Sequence, residues 1–371
     1  MADIVTIPFV DLRAQYSVLR EEMREAIDGV LAAGRYILGP NVSAFEREFA
    51  DYVGAPHAIG CGNGGDALEM VMRLWGARAG DEIIVPANSW IATASAATMY
   101  GAKPVFADTD ARTFTIDPVD VERKVTFRTK AIVVSHSNGM PADMDAILRV
   151  ARPRGIRVLE DCTQAHGARV DGHRVGTFGT AATFSFHPEQ NLGAYGDAGA
   201  IVVNRDDDAE TLRRIGNGGR LAEDDFRIEG RNSRLDELQA AILRIKLQRL
   251  DDWVDARQRH AARYRAQLAD LPLTLPFVPA YAEPVWHSFV VLTANRDAVR
   301  HALAGEHIET RVPYPVALPF LPPFAHMRHT PEQFPVAHAH ANTALSLPMY
   351  AELTDVQVDR VCDALRRGLS G

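Results

Sequence analysis

The stretch 57-HAIGCGNGGDALEMVMRLWGARAGDEIIVPANSW-90 decides the fold class. It reads as an apolar strand, a glycine turn, an amphipathic helix and a second apolar strand, "DEIIVPA". Short apolar runs between turn residues predict strands, and the three- and four-residue spacing in "DALEMVMRLWG" predicts a helix. The pattern continues outward. "SWIATASAATMYG" reads as helix, "AKPVFADTD" and "TKAIVVSH" as strands, "DMDAILRVARPRG" as helix and "IRVLED" as strand. Such alternation implies crossover units and an α/β fold, with a mostly parallel sheet between helices. Ligands of these sheets bind at the carboxyl ends of the strands.

The flanks add a second region. "LRAQYSVLREEMREAIDGVLAAG" predicts an amphipathic helix ending at a glycine. "SRLDELQAAILRIKLQRLDDWVDARQRHAARYRAQLADL" predicts one long helix bridging two domains. After the proline-bearing "LPLTLPFVPAYAEPVW", the segments "SFVVLTA", "DAVRHALAG" and "TDVQVDRVCDALRRGL" suggest a smaller α/β domain. The expected division is a large domain over 1–250, including the N-terminal helix, and a smaller one over 251–371.

Hydrophobic residues make up 47% and charged residues 24% of the 371, within the ordinary range for a soluble globular protein. A formal charge of -8 argues against a nucleic-acid partner, which would favour a basic surface. No run is apolar enough for a membrane span and "MADIVTIPFV" lacks a signal-peptide pattern, so the cytoplasm is the expected location. Cys61, Cys162 and Cys362 lack metal-ligand spacing, and no metal site is expected. Cys61 and Cys162 read as small core fillers.

Asp161 ends "IRVLED", where a carboxylate can point into a crevice or simply cap a turn. "GNGGDAL" puts Gly64 and Gly65 at a helix start, where backbone amides can cradle a phosphate. Trp90 follows "VPANS" at another strand end and could equally be a core aromatic. Taken with "EDCTQAHGA", "FSFHPEQNLGAYGDAGA" and "RNSRLDELQAA", in this order, these motifs resemble the DegT-type sugar aminotransferases of the aspartate-aminotransferase superfamily. The resemblance runs from "IPFVDLRAQY" to "LSLPMYAELTDVQVDRVCDALR".

The resemblance implies a fold-type I pyridoxal-phosphate (PLP) transferase, a homodimer and a small-molecule substrate such as a nucleotide sugar. Asp161 would face the pyridine nitrogen, Gln164 would lie beside the phenolic oxygen and Trp90 would stack on the ring. Gly64, Gly65 and Ser185 would surround the phosphate, with Asn232 reaching it from a neighbouring subunit. Tyr314 in "HIETRVPYP" would line the substrate wall, where Arg311 could hold an anionic group or face solvent.

One position breaks the pattern. The family's Schiff-base lysine falls where this chain has Gln190. That lysine binds the cofactor aldehyde and then moves the proton between substrate and cofactor carbons. An amide has neither the nucleophilic lone pair nor the basicity. Lys130 and Lys246 belong to other elements. Further departures surround the pocket: Gly65 for a threonine, Asn138 and Met140 in "HSNGMPADM", Gly216 and Gly218 in "GNGGR" for arginine and histidine, and Pro313 for histidine. The two glycines are expected to enlarge the pocket and remove positive charge. A base would have to be borrowed, with His187 and His166 as candidates. Three readings stand at this point. One is an enzyme of non-transamination chemistry that holds PLP or pyridoxamine phosphate (PMP) non-covalently, or uses no cofactor at all. The others are an ordinary sugar aminotransferase in Lys-to-Gln form and a non-catalytic metabolite binder.

Overall fold

The computed structural model describes residues 6–370. Helix α1 (Leu12–Ala33) starts at Asp11, whose carboxylate accepts the amides of Arg13 and Ala14, and stops at Gly34. Gly34 adopts φ 64°, a left-handed value that suits glycine at a helix end. Helix α2 (Pro40–Val53) leads into the alternating region: β1 (His57–Cys61), α3 (Gly64–Leu74), β2 (Glu82–Pro86), α4 (Ile91–Thr98), β3 (Lys103–Ala107), α5 (Pro118–Lys124), β4 (Thr129–Ser135), α6 (Met144–Ala151) and β5 (Arg157–Asp161). Two short strands, β6 (Arg169–Val170) and β7 (His173–Arg174), precede β8 (Ala181–Ser185), β9 (Gly199–Val203) and α7 (Asp206–Gly216).

The seven main strands form one sheet in the order β1-β9-β8-β5-β4-β2-β3. Of these, β9 alone runs antiparallel to its neighbours. All five residues of β2 and of β9 are buried, as expected for strands covered on both faces. One face packs Phe45, Phe49, Ile132, Val134 and Phe184 together. The other gathers Ile83, Val85, Val133, Leu159 and Ile201.

The predicted bridging helix is divided into α8 (Glu237–Leu247) and α9 (Leu250–Gln267). Neither glycine nor proline interrupts it. Leu247 and Leu250 are buried on either side of the break. Asp251 and Asp252 then occupy the first turn of α9, where negative charge favours a helix start. The C-terminal region has β10 (Ala282–Glu283), which joins β6 and β7, and β11 (Phe289–Leu292) paired antiparallel with β12 (Ala344–Leu347). Helices α10 (Arg296–Gly305), α11 (Pro335–Thr343) and α12 (Asp355–Ser370) complete it. Its core joins Tyr264, Phe289, Leu347 and Val361, and takes in Ile7 from the N-terminal segment. Ala317, Phe324 and Phe334 turn back onto the large sheet. Among the described residues, no helix is long and apolar enough to cross a membrane.

Candidate active site

The carboxyl ends of β1, β2, β4, β5 and β8 converge on one crevice. Asp161, the last residue of β5, is 7% exposed. Its Oδ2 accepts from Ser135 Oγ at 3.3 Å and Thr93 Oγ1 at 3.4 Å, and its Oδ1 from the amide of Thr163 at 3.2 Å. Ser89 closes the ring of hydroxyls, 3.0 Å from Thr93 and 3.2 Å from Ser135. Parallel strands end here in register, with Ser135 opposite Asp161 and Asp161 opposite Thr183. The hydroxyl ring went unnoticed in the sequence. Its only signal is a serine at the end of β4 and a serine and a threonine around the start of α4.

On the neighbouring strand, the start of α3 presses on β8. A Cβ at Gly64 would stand 2.5 Å from Ser185 Cβ, so only glycine permits this approach. Asn63 caps the helix by accepting the Asp66 amide at 2.8 Å. A Cβ at Gly65 would lie 3.2 Å from the same Asn63 oxygen, a tight fit. Arg231 donates to Asp66 at 2.6 Å and also pairs with Glu69, which offsets negative charge beside this helix start. Asn232 is exposed and forms a bridge with Asn217. Trp90 precedes α4 and is 68% exposed in the single chain.

The wall opposite is built by Gln164. Its Oε1 accepts the Asn138 amide at 2.7 Å and its Nε2 donates to Tyr314 Oη at 3.1 Å. Asn138 takes φ 59° and borders a hollow with Met140, Trp286 and Ser288. Tyr314 takes φ 46°, and burial, followed by the Asp161 charge, pushes its hydroxyl pKa up. Pro313 is half-buried beside it. Arg311 is engaged rather than free: both its terminal nitrogens donate to Glu189.

Gln190 lies on the loop between β8 and β9, and its Oε1 is buried without a hydrogen-bond partner. Lys246 approaches this loop from below. Its Nζ donates to Gly193 O at 2.7 Å and stands 4.2 Å from the Tyr195 ring centre, while burial pushes the amine down to about 7. The chain's other lysines are further from the crevice. Lys103 and Lys130 stand at the amino ends of β3 and β4, and Lys124 bonds Phe106 O.

His187 and His166 part company. His187 is exposed on the loop. His166 is fully buried between Phe184 and Phe186, at 5.5 and 5.6 Å between ring centres, and both its nitrogens are unpartnered. Burial pushes its imidazole down to about 3, and the strand alternation puts these phenylalanines on the face opposite Ser185. His166 is therefore a core residue rather than a base for the crevice. The two glycines also differ. A Cβ at Gly216 would meet Ser233 O at 2.6 Å, so its small size fills a packed contact and opens no space. Gly218, with φ 67°, has open space around it.

His136, Glu160 and Cys162 form a buried cluster on the far side of Asp161. His136 Nδ1 accepts the Ala142 amide at 3.0 Å and Nε2 meets Glu160 at 3.1 Å. Glu160 also takes the amides of Gly176, Phe178 and Gly179. With both imidazole nitrogens used, the cluster is a structural network. All three cysteines are buried and unbridged.

Comparison with known proteins agrees with this fold. Residues 17–366 match the DegT/DnrJ/EryC1/StrS aminotransferase family. The chain belongs to this family. It is 43% identical over 366 residues to the dTDP-3-amino-3,4,6-trideoxy-alpha-D-glucose transaminase of Streptomyces venezuelae, covering 98% of this chain and 97% of that one. The crystal structure of S. venezuelae DesV in complex with a ketimine intermediate superimposes with a TM-score of 0.96, at 42% identity and 99% coverage of both chains. NtdA from Bacillus subtilis, solved with bound PMP, gives 0.92 at 28% identity, covering 100% of this chain and 86% of that one. The architecture is that of the fold-type I PLP transferases, and the chain is a member of an enzyme family.

Proposed function

We propose that this chain acts on a nucleotide-linked sugar with PLP or PMP held in the crevice without a covalent bond to the protein. Amino transfer is the reaction class that the comparisons favour, since the relative at 43% identity is named a transaminase of a dTDP-linked sugar. The observation that carries the cofactor reading is the pairing of Asp161, inside its ring of hydroxyls, with the closely fitted glycine start of α3. Asp161 suits a protonated ring nitrogen, the helix start suits a phosphate, and Gln164 supplies an amide on the facing wall. When bound, such a group supplies an electron sink and an amino-group carrier. The exposure of Asn232 is compatible with a contribution across a homodimer, and Trp90 offers an exposed ring face.

Gln190 supports a second reading, a non-transamination step on the same class of substrate. The amide can hydrogen-bond a ligand but cannot carry a proton between carbons. Of the candidate bases, only the exposed His187 is on the crevice loop. Gln190→Lys separates the two readings. The unaltered chain is expected to bind PMP reversibly and to show no protein-linked cofactor by mass spectrometry after borohydride reduction with PLP. Gln190→Lys is expected to show that added mass and to raise amino transfer on a nucleotide-linked keto-sugar by about 100-fold or more, the usual scale of a positioned acid–base. Attachment without amino transfer would favour the second reading. Failure of both proteins to bind either cofactor form would end the cofactor reading.

A further inference from the structure

A carboxylate of the protein sits at the rim of the crevice, on the one arginine of the substrate-wall segment. Arg311 donates to both oxygens of Glu189, at 2.5 and 2.7 Å, and its guanidinium lies 4.5 Å from the centre of the Phe9 ring. Glu189 immediately precedes Gln190. Arg311 is three residues before Tyr314, which meets Gln164 inside the crevice. The pair therefore ties the wall segment to the tip of the loop that carries Gln190.

The strength of this tie can be judged against the others. The Arg311 and Glu189 side chains are 50% and 32% exposed. An ion pair this open to water contributes about 1 kcal/mol or less, with two-point geometry placing it near the top of that range. The base of the loop is held by contacts that water does not screen: Lys246 to Gly193 O, Asn191 Nδ2 to Val285 O at 3.0 Å, and Ala194 N to Phe186 O at 2.7 Å. The base is fixed, whereas the tip, apart from its own turn contact Gln190 N to His187 O at 2.9 Å, meets the wall segment through this exposed pair. A diphosphate fits the guanidinium fork as a carboxylate does and brings more charge.

We infer that Glu189 is an internal stand-in for the diphosphate of the substrate. On binding, the diphosphate takes Arg311, Glu189 is displaced, and the tip bearing Gln190 is released to settle against the ligand. No covalent bond changes. The inference rests on the nucleotide-sugar reading above and adds a receptor residue and a coupled movement to it.

The test uses thymidine diphosphate and inorganic pyrophosphate, titrated by calorimetry at constant ionic strength into the full chain, Glu189→Gln and Arg311→Gln, with PMP titrated in parallel. Glu189→Gln is expected to bind both anions about fivefold more tightly, the equivalent of about 1 kcal/mol. Arg311→Gln is expected to bind them about tenfold more weakly. Hydrogen exchange at the 187–190 tip should quicken when the anion binds the unaltered chain, and should already be fast in Glu189→Gln. Unchanged or weaker anion binding by Glu189→Gln overturns the inference, as does absence of binding by both it and the unaltered chain. If PMP binds and the anions fail, only this inference falls. If the anions exchange at Arg311 and PMP fails to bind, it stands and the cofactor reading falls.

Discussion

The two ends of the crevice are built differently. At the Asp161 end, the carboxylate has donors on both oxygens and Gln164 is bonded through both its oxygen and its nitrogen. Ser135 comes from a strand end and Thr93 from a helix start, whereas Thr163, Asn138 and Tyr314 come from the turns and loops beside them. At the Gln190 end, the amide oxygen is buried without a partner and the nearby arginine is occupied by a carboxylate of the same chain. On the function proposed above, holding a flat, phosphate-bearing ring and bonding to it would be separable tasks. The first would be spread over several elements, whereas the second would fall to one side chain on a loop.

The contrast predicts its own largest effect. Asp161→Asn removes a charge-assisted hydrogen bond to a protonated ring, worth about 1.5–3 kcal/mol, and should weaken PMP binding by roughly 10- to 100-fold. Gln190→Leu should change it by less than about fivefold, because a neutral hydrogen bond contributes about 1 kcal/mol or less. Equilibrium dialysis of both variants decides the matter. Equal losses would show that the two ends are a single unit.

The glycines give the next effect. Gly216→Ala drives a Cβ to 2.6 Å from Ser233 O, and overpacking against backbone costs about 2–3 kcal/mol. Gly218→Ala meets no atom within 4 Å and pays only for its left-handed φ of 67°, about 1 kcal/mol. Urea denaturation of the two variants should rank them in that order. A reversed order would restore Gly216 as a position of open pocket space.

Much of this architecture was legible in the sequence because each crossover repeats the same physical signal. Buried strands such as "EIIVP" are apolar after their first residue, Gly64 opens the helix that follows β1, and Asp161 closes β5. The break between α8 and α9 was not legible, since no residue near Gln248 or Arg249 is a helix breaker. The Glu189–Arg311 pair spans 122 positions and leaves no local pattern. The ring of Ser89, Thr93 and Ser135 was equally hidden, since a hydroxyl at a strand end or a helix start looks the same whether it faces solvent or a carboxylate.

His166 and His187 carry the comparison into the pH dependence of stability. His166 is enclosed by Phe184 and Phe186, and burial lowers its folded pKa to about 3, against roughly 6.5 in the unfolded chain. Between these values the unfolded state binds the extra proton, so acidification favours unfolding. Above about pH 6.5 the residue contributes no pH dependence. As the pH falls from there toward 3, it should remove about 1.4 kcal/mol of stability per pH unit. His166→Phe keeps an aromatic ring among aromatic neighbours and discards the proton site, so urea denaturation at pH 6.5 and 5.0 should show a loss smaller by roughly 2 kcal/mol than in the unaltered chain. His187→Phe, at the exposed position, should leave the original loss in place. Equal slopes in all three proteins would mean that His166 gains its proton without unfolding, and the imidazole would then return as a candidate acid–base group.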